Sequence, residues 1–193
     1  MKVTRQEARE LLMKYTQGVS LIKHALAVEA AMRAYARRFD EDEEKWGVTG
    51  LLHDFDYEQN PDPEDHPRVG AAILKDRGYP QDIIYAIQAH AEHMGLPRNS
   101  LMDKTLFAVD ELCGFLTAAT LVRPGKRVAE VPVKSVKKKL KDKGFARSVN
   151  REEIRQGATD LNLDLDEHIA FVRDAMAQVA EDLGLAGQDE ETE

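Results

Sequence analysis

The sequence has one cysteine, Cys113, among its 193 residues. A single thiol closes no intrachain bridge, so a disulfide scaffold is excluded. No apolar run approaches the roughly 20 residues that a bilayer-spanning helix requires. The first residues, Met1-Lys2-Val3-Thr4-Arg5-Gln6-Glu7, are polar and lack the apolar centre of a signal peptide. Together these absences predict a cytoplasmic protein. Sustained alternation of apolar and polar residues is also missing, which removes the signature of a half-buried strand. No internal repeat is found. Aromatic residues are scarce, at 6%, so recognition that depends on stacking has few side chains to draw on. Cys113 lies in an apolar helical pattern, where a thiol acts as a small core residue.

What remains is helical periodicity, with enough apolar residues (42%) to fill a core. Thr4 with Glu7, and Ser100 with Asp103, have capping-box spacing. Ser20, Asn150 and Asp164 are further candidate caps. Gly18, Gly78 and Gly144 are stops, while Pro67 and Pro80 suit first helical positions. The pattern predicts an all-α bundle of roughly eight or nine helices. Among them are helices over 20–38, 101–119 and 135–143, and a last helix carrying Ile169, Val172, Met176 and Val179. Residues 1–120 are expected to form one domain and 121–186 a helical extension packing on it. Residues 187–193 form an acidic tail expected to be disordered.

The charge is uneven. Residues 123–151 hold eleven Lys/Arg against Glu130 and Asp142, a local +9, so the rest carries -17 of the net -8. Such asymmetry marks a candidate anion-binding patch. Lys104, Arg123, Lys137 and Lys138 are candidate phosphate contacts. Phe145 is the one aromatic residue close to the lysine run 134–143, which speaks against base stacking and against nucleic acid as the partner.

The histidines organise the chain. His53-Asp54 follows the apolar run Val48 to Leu52, and a charged pair at the edge of a buried helix needs a partner. A divalent cation is a natural one, but such an ion takes four to six ligands. Further ligands are available at His24, His66, His90 and Asp110. His24 lies one turn from both Leu21 and Val28. Asp110 has Leu106, Phe107, Cys113 and Gly114 as its one-turn neighbours, so a carboxylate sits on an apolar face. Glu111 is flanked by Phe107 and Phe115, and periodicity does not choose which of the two acids points inward. His168 falls in the amphipathic last helix and reads as structural.

The ordered series His24, His53-Asp54, His66, His90, Asp110 resembles the HD superfamily of metal-dependent phosphohydrolases, of the HDIG type. It is similar to bacterial diadenosine tetraphosphate hydrolases of that superfamily. The resemblance covers about Ser20 to Leu116. It implies a helical bundle with one or two divalent transition ions (Mn, Fe, Co, Ni or Zn) in its core. It also implies that His24, His53, Asp54 and Asp110 hold one ion and His66 and His90 a second, with Asp54 bridging. The doublet departs from the pattern by continuing as Phe55-Asp56 instead of Ile-Gly, and with it two further departures argue against a cyclic dinucleotide phosphodiesterase. Ala91 stands where those subgroups have a second histidine after His90, and Gly78-Tyr79-Pro80 precedes His90 instead of following it.

The resulting expectation is a phosphomonoesterase or phosphodiesterase acting on a nucleotide or another small phosphate ester. Its attacking group would be a hydroxide activated by the metal. Asp56 and Glu58, just past the doublet, are candidate proton acceptors. Two other classes use the same residues. One is a di-iron oxygenase; the other is a non-catalytic module in which metal staples the core and the basic patch binds a partner.

Overall fold

The protein, a computed structural model in which residues 3–187 are described, is built from helices. The expected disordered tail, 187–193, lies outside the described residues except for Gly187. The helices are α1 (Arg5–Tyr15), α2 (Val19–Phe39), α3 (Glu43–Leu52), α4 (Arg68–Asp76), α5 (Gln81–His90), α6 (Leu101–Leu121), α7 (Val133–Lys141), α8 (Arg151–Asp160), α9 (Leu165–Ala177) and α10 (Ala180–Leu183). Two 3₁₀ turns lie at Glu92–Met94 and Val128–Glu130. Among the described residues there is no strand, only one isolated bridge between Arg127 and Ala186.

Local chemistry explains most boundaries. Both capping boxes form, at Thr4/Glu7 and Ser100/Asp103. Asp42, Asn150 and Asp164 each accept backbone N–H groups at the start of a helix. Other boundaries depart from the sequence pattern. Ser20 does not cap α2; Gly18 takes that position, with no side-chain bond of its own. Pro67 precedes α4 rather than opening it. The basic helix spans 133–141 rather than 135–143. The last helix divides into α9 and α10 at the turn Gln178–Val179, which accounts for part of the larger helix count.

α2 is central: it packs on α3, α6, α9 and α10. Val28, Met32 and Tyr35 join a cluster with Leu112, Val136, Ile154, Ile169 and Met176, so residues beyond 120 share a core with those before it. Ala25 belongs to a second cluster with Leu11, Leu51, Phe55, Leu74 and Ile87. Each large side chain so buried contributes roughly 1.5–3 kcal/mol. The backbones of α2 and α3 approach closely at Gly50. A Cβ there would lie 2.9 Å from Met32 Cγ and 3.0 Å from the Val28 carbonyl oxygen. Glu29, a buried carboxylate on α2, accepts from Arg5 Nε at 2.6 Å and Arg33 Nε at 2.9 Å, and Arg33 reaches on to Glu44. This network ties α1, α2 and α3 together and keeps the buried charge paired. No described helix is long and apolar enough to cross a membrane.

Candidate metal centre

Five separate stretches of chain deliver the histidines and aspartates to one place. His24 comes from the second turn of α2. His53 and Asp54 follow directly on α3, whose glycine-mediated contact with α2 brings them under His24. His66 comes from the loop between α3 and α4, His90 is the last residue of α5, and Asp110 lies in the middle of α6.

His24 Nε2 lies 2.9 Å from Asp110 Oδ1, and His53 Nε2 lies 3.5 Å from the same oxygen. Asp54 faces two ways. Its Oδ2 is 3.4 Å from His53 Nε2, while its Oδ1 is 3.1 Å from His66 Nε2 and 3.3 Å from His90 Nε2. Two triads result, His24–His53–Asp54 and Asp54–His66–His90, within each of which the ligand atoms lie inside 4.8 Å of one another.

The outer nitrogens decide which way the inner ones point. His53 Nδ1 donates to the Gly50 carbonyl at 2.8 Å, and His90 Nδ1 donates to the Ile87 carbonyl. His66 Nδ1 donates to Asp56 Oδ1 at 2.9 Å. With Nδ1 carrying the proton, each Nε2 presents a lone pair to carboxylate oxygens. Lone pairs facing carboxylates repel unless a cation lies between them. His53 Nε2 is buried and has no hydrogen-bond partner. An orphaned acceptor of this kind, in a set of imidazole and carboxylate donors, fits a divalent transition ion. The electrostatics agree. Burial opposes charging His66, yet its hydrogen bonds to Asp54 and Asp56 prevail and raise it to about 9. Burial likewise opposes ionising Asp54 and Asp110, but His53, with His66 and His90 at Asp54 and His24 at Asp110, holds both well below the usual carboxylate range. The cluster thus stabilises positive charge at its centre.

Asp56 and Glu58 have other partners. Asp56 is fully buried; Oδ1 faces His66 and Oδ2 accepts from Gly70 N–H at 2.7 Å. The exposed Glu58 accepts from the backbone N–H groups of Gln17 and Gly18, at the start of α2. Neither carboxylate is directed at the ligand cluster as a free proton acceptor. Glu111 belongs to neither triad; burial and the neighbouring Asp110 raise its carboxyl to about 7. His93 Nε2 bonds the His66 carbonyl at 2.9 Å. The two residues lie 27 positions apart, so only the fold brings them together. His168 lies elsewhere, between the Tyr35 hydroxyl and the Ala108 carbonyl. Cys113 is buried in the core. Of the candidate phosphate contacts, Lys137 pairs with Asp166 at 2.6 Å, while Lys138 is exposed on the outer side of α7.

Comparison with known proteins places an HD domain at residues 21–114. Ribonuclease Y of Nitratidesulfovibrio vulgaris (strain Hildenborough) is 29% identical over 182 residues, covering 88% of this chain and 33% of that protein. Ribonuclease Y of Oleidesulfovibrio alaskensis is 28% identical, covering 91% and 34%, and that of Desulfotalea psychrophila is 28% identical, covering 92% and 34%. The chain therefore spans about a third of the length of these relatives. No solved structure matches significantly.

Proposed function

We propose that this chain is a metal-dependent phosphodiesterase acting on RNA. The observation that carries the reading is the double-faced Asp54, with one oxygen toward His53 and the other toward His66 and His90. His24, His53, Asp54 and Asp110 would hold one ion, and Asp54, His66 and His90 a second. Bound there, divalent cations supply Lewis acidity toward phosphoryl oxygens and depress the pKa of a coordinated water. The chain's own contribution is to set the ligands in advance. The Gly50 and Ile87 carbonyls and the Asp56 carboxylate fix the three Nδ1–H tautomers, leaving each Nε2 basic. Two ligand carboxylates are too few to neutralise two divalent ions, so anionic phosphate is drawn in.

The choice of RNA over a small nucleotide rests on relatives. Proteins named Ribonuclease Y align along nearly the whole chain, well past the end of the HD match. The scarcity of aromatic residues weighs against stacking, not against contact with the phosphate backbone. Lys134, Lys138 and Lys141 are exposed on α7, whose Val136 and Leu140 face inward, and such a face suits backbone phosphates. On this reading residues 1–120 carry the chemistry and 121–186 contribute contacts.

The test is metal analysis, followed by assay of the full chain, loaded in turn with Mn, Fe, Co, Ni and Zn, on a short oligoribonucleotide and on mononucleotide esters. Cleavage of the oligoribonucleotide, abolished together with metal content in Asp54→Ala, is the expected result. Full metal content in Asp54→Ala, or oxygen uptake by the iron-loaded protein without phosphate-ester hydrolysis, would overturn the proposal.

A further inference from the structure

A cavity of about 280 Å³ opens beside His24, between α2, α6 and the end of α10 with the two residues after it. Ser20 and Lys23 approach from α2, Gly114, Thr117 and Leu121 from α6, and Leu183 to Leu185 from the far end of the described chain. Its volume lies near the low end of the roughly 300–1,000 Å³ found for small-ligand sites, which suits one ring system.

Two observations join this cavity to the candidate ion centre, and the rest define its walls. His24 lines it and also lies 2.9 Å from Asp110. Gly114 follows Asp110 by one helical turn, so the cavity and the carboxylate share a face of α6. A Cβ at Gly114 would meet no atom within 4 Å, so this face of the helix is open. Lys23 brings its ammonium against Gly184, where an added Cβ would lie 2.6 Å from Nζ. Gly184 itself has φ +69, which favours glycine. The far wall is anchored: Val128 N–H donates to the Leu185 carbonyl at 2.9 Å, and Leu185 N–H to the Ala180 carbonyl at 2.8 Å.

We infer that this cavity seats the base of the nucleotide adjoining the scissile phosphate, with Lys23 meeting a phosphate of the same strand. A base has two apolar faces and a polar edge. Leu121, Leu183 and Leu185 offer apolar surface, while Ser20, Thr117 and Lys23 offer polar groups around it. The geometry suits a flat ring whose attached phosphate lies on the His24 side. The proposal rests on the phosphodiesterase reading and adds a specificity determinant to it. Most of that determinant, Thr117, Leu121 and Leu183 to Leu185, lies beyond the HD match at 21–114.

The probes are a five-residue oligoribonucleotide and its abasic counterpart, each tested with the metal-loaded full chain. The wild type should favour the base-bearing strand by roughly tenfold or more in kcat/KM, the order expected for burying one ring against aliphatic side chains. Gly114→Phe projects a ring into the cavity from a position where an added Cβ meets no atom within 4 Å, and should collapse that preference while metal content is kept. Leu121→Asp, at an exposed wall position (50%), should do the same and guards against a folding defect in the first variant. Equal cleavage of both strands by the wild type, or an undiminished preference in both variants, overturns the base-seating proposal and leaves the phosphodiesterase reading standing. Cleavage of neither strand by the wild type overturns both.

Discussion

Asp56 and His66 are joined by a 2.9 Å hydrogen bond between Oδ1 and Nδ1, while the other oxygen of Asp56 is held by Gly70 N–H at 2.7 Å. Both oxygens of the carboxylate are thus engaged in holding the His66 ring and the start of α4. Asp56→Ala should lower metal affinity by about 10–100-fold, the usual effect of removing such a partner. Titration against a competing chelator reads this directly. Gly70→Ala should act in the same direction, because its Cβ would lie 2.7 Å from Asp56 Cγ. Wild-type affinity in both variants would show that His66 does not need this support.

Glu58 serves the entry to α2. Its carboxylate accepts the Gln17 and Gly18 N–H groups, which the helix itself leaves without acceptors. Replacing it by Ala should cost on the order of 1 kcal/mol, comparable to losing an N-cap, with metal content unchanged. Urea unfolding measures the loss. Full stability with abolished turnover would instead restore Glu58 as a proton acceptor.

His168 should give the fold an acid-sensitive component. Burial lowers its pKa; the bond to the Ala108 carbonyl opposes this and nearby Arg38 reinforces it. Nε2 lies 2.9 Å from the Ala108 carbonyl, so it carries the proton, and Nδ1 accepts from the Tyr35 hydroxyl at 2.6 Å. A histidine with a depressed folded pKa binds more protons when unfolded. Its contribution is therefore complete above about pH 6.5 and lost as pH falls through the lower folded value. His168→Leu should be destabilised by roughly 1–3 kcal/mol at pH 7.5, since it leaves a buried carbonyl and hydroxyl unpaired. The gap to wild type should narrow toward pH 5. A gap independent of pH would mean that His168 does not titrate in this range.

The lysines of α7 should separate by partner. Lys138 is exposed, whereas Lys137 is tied to Asp166 at 2.6 Å. If α7 contacts RNA phosphates, Lys138→Gln should weaken binding at every sequence and reduce the slope of log affinity against log salt by about 1. Lys137→Gln should do so less. Identical salt slopes in wild type and Lys138→Gln would remove α7 from the interface.

What could be read in the sequence, and what could not, follows from the range of the interactions. The two capping boxes depend on residues three apart, and both form. The all-α architecture follows from apolar periodicity, which local chain geometry transmits without knowledge of the fold. The positions His24 to Asp110 are legible as an ordered set because imidazoles and carboxylates on apolar faces demand partners. Their grouping around Asp54 is a matter of distances that only packing determines. The same holds for Asp110 against Glu111, for Asp56 with His66, and for Glu58, whose partners lie about forty positions away. The break between α9 and α10 leaves no proline or glycine at Gln178–Val179 to announce it.

Because one carboxylate serves both triads, their occupancies cannot be independent if both fill. The first ion to arrive would immobilise Asp54 and alter the field met by the second. Reciprocity then requires each ion to change the other's affinity by the same factor. Stepwise loading would show it as a departure from two identical, separate binding curves, with its sign set by whether ordering of the shared carboxylate outweighs repulsion between the cations.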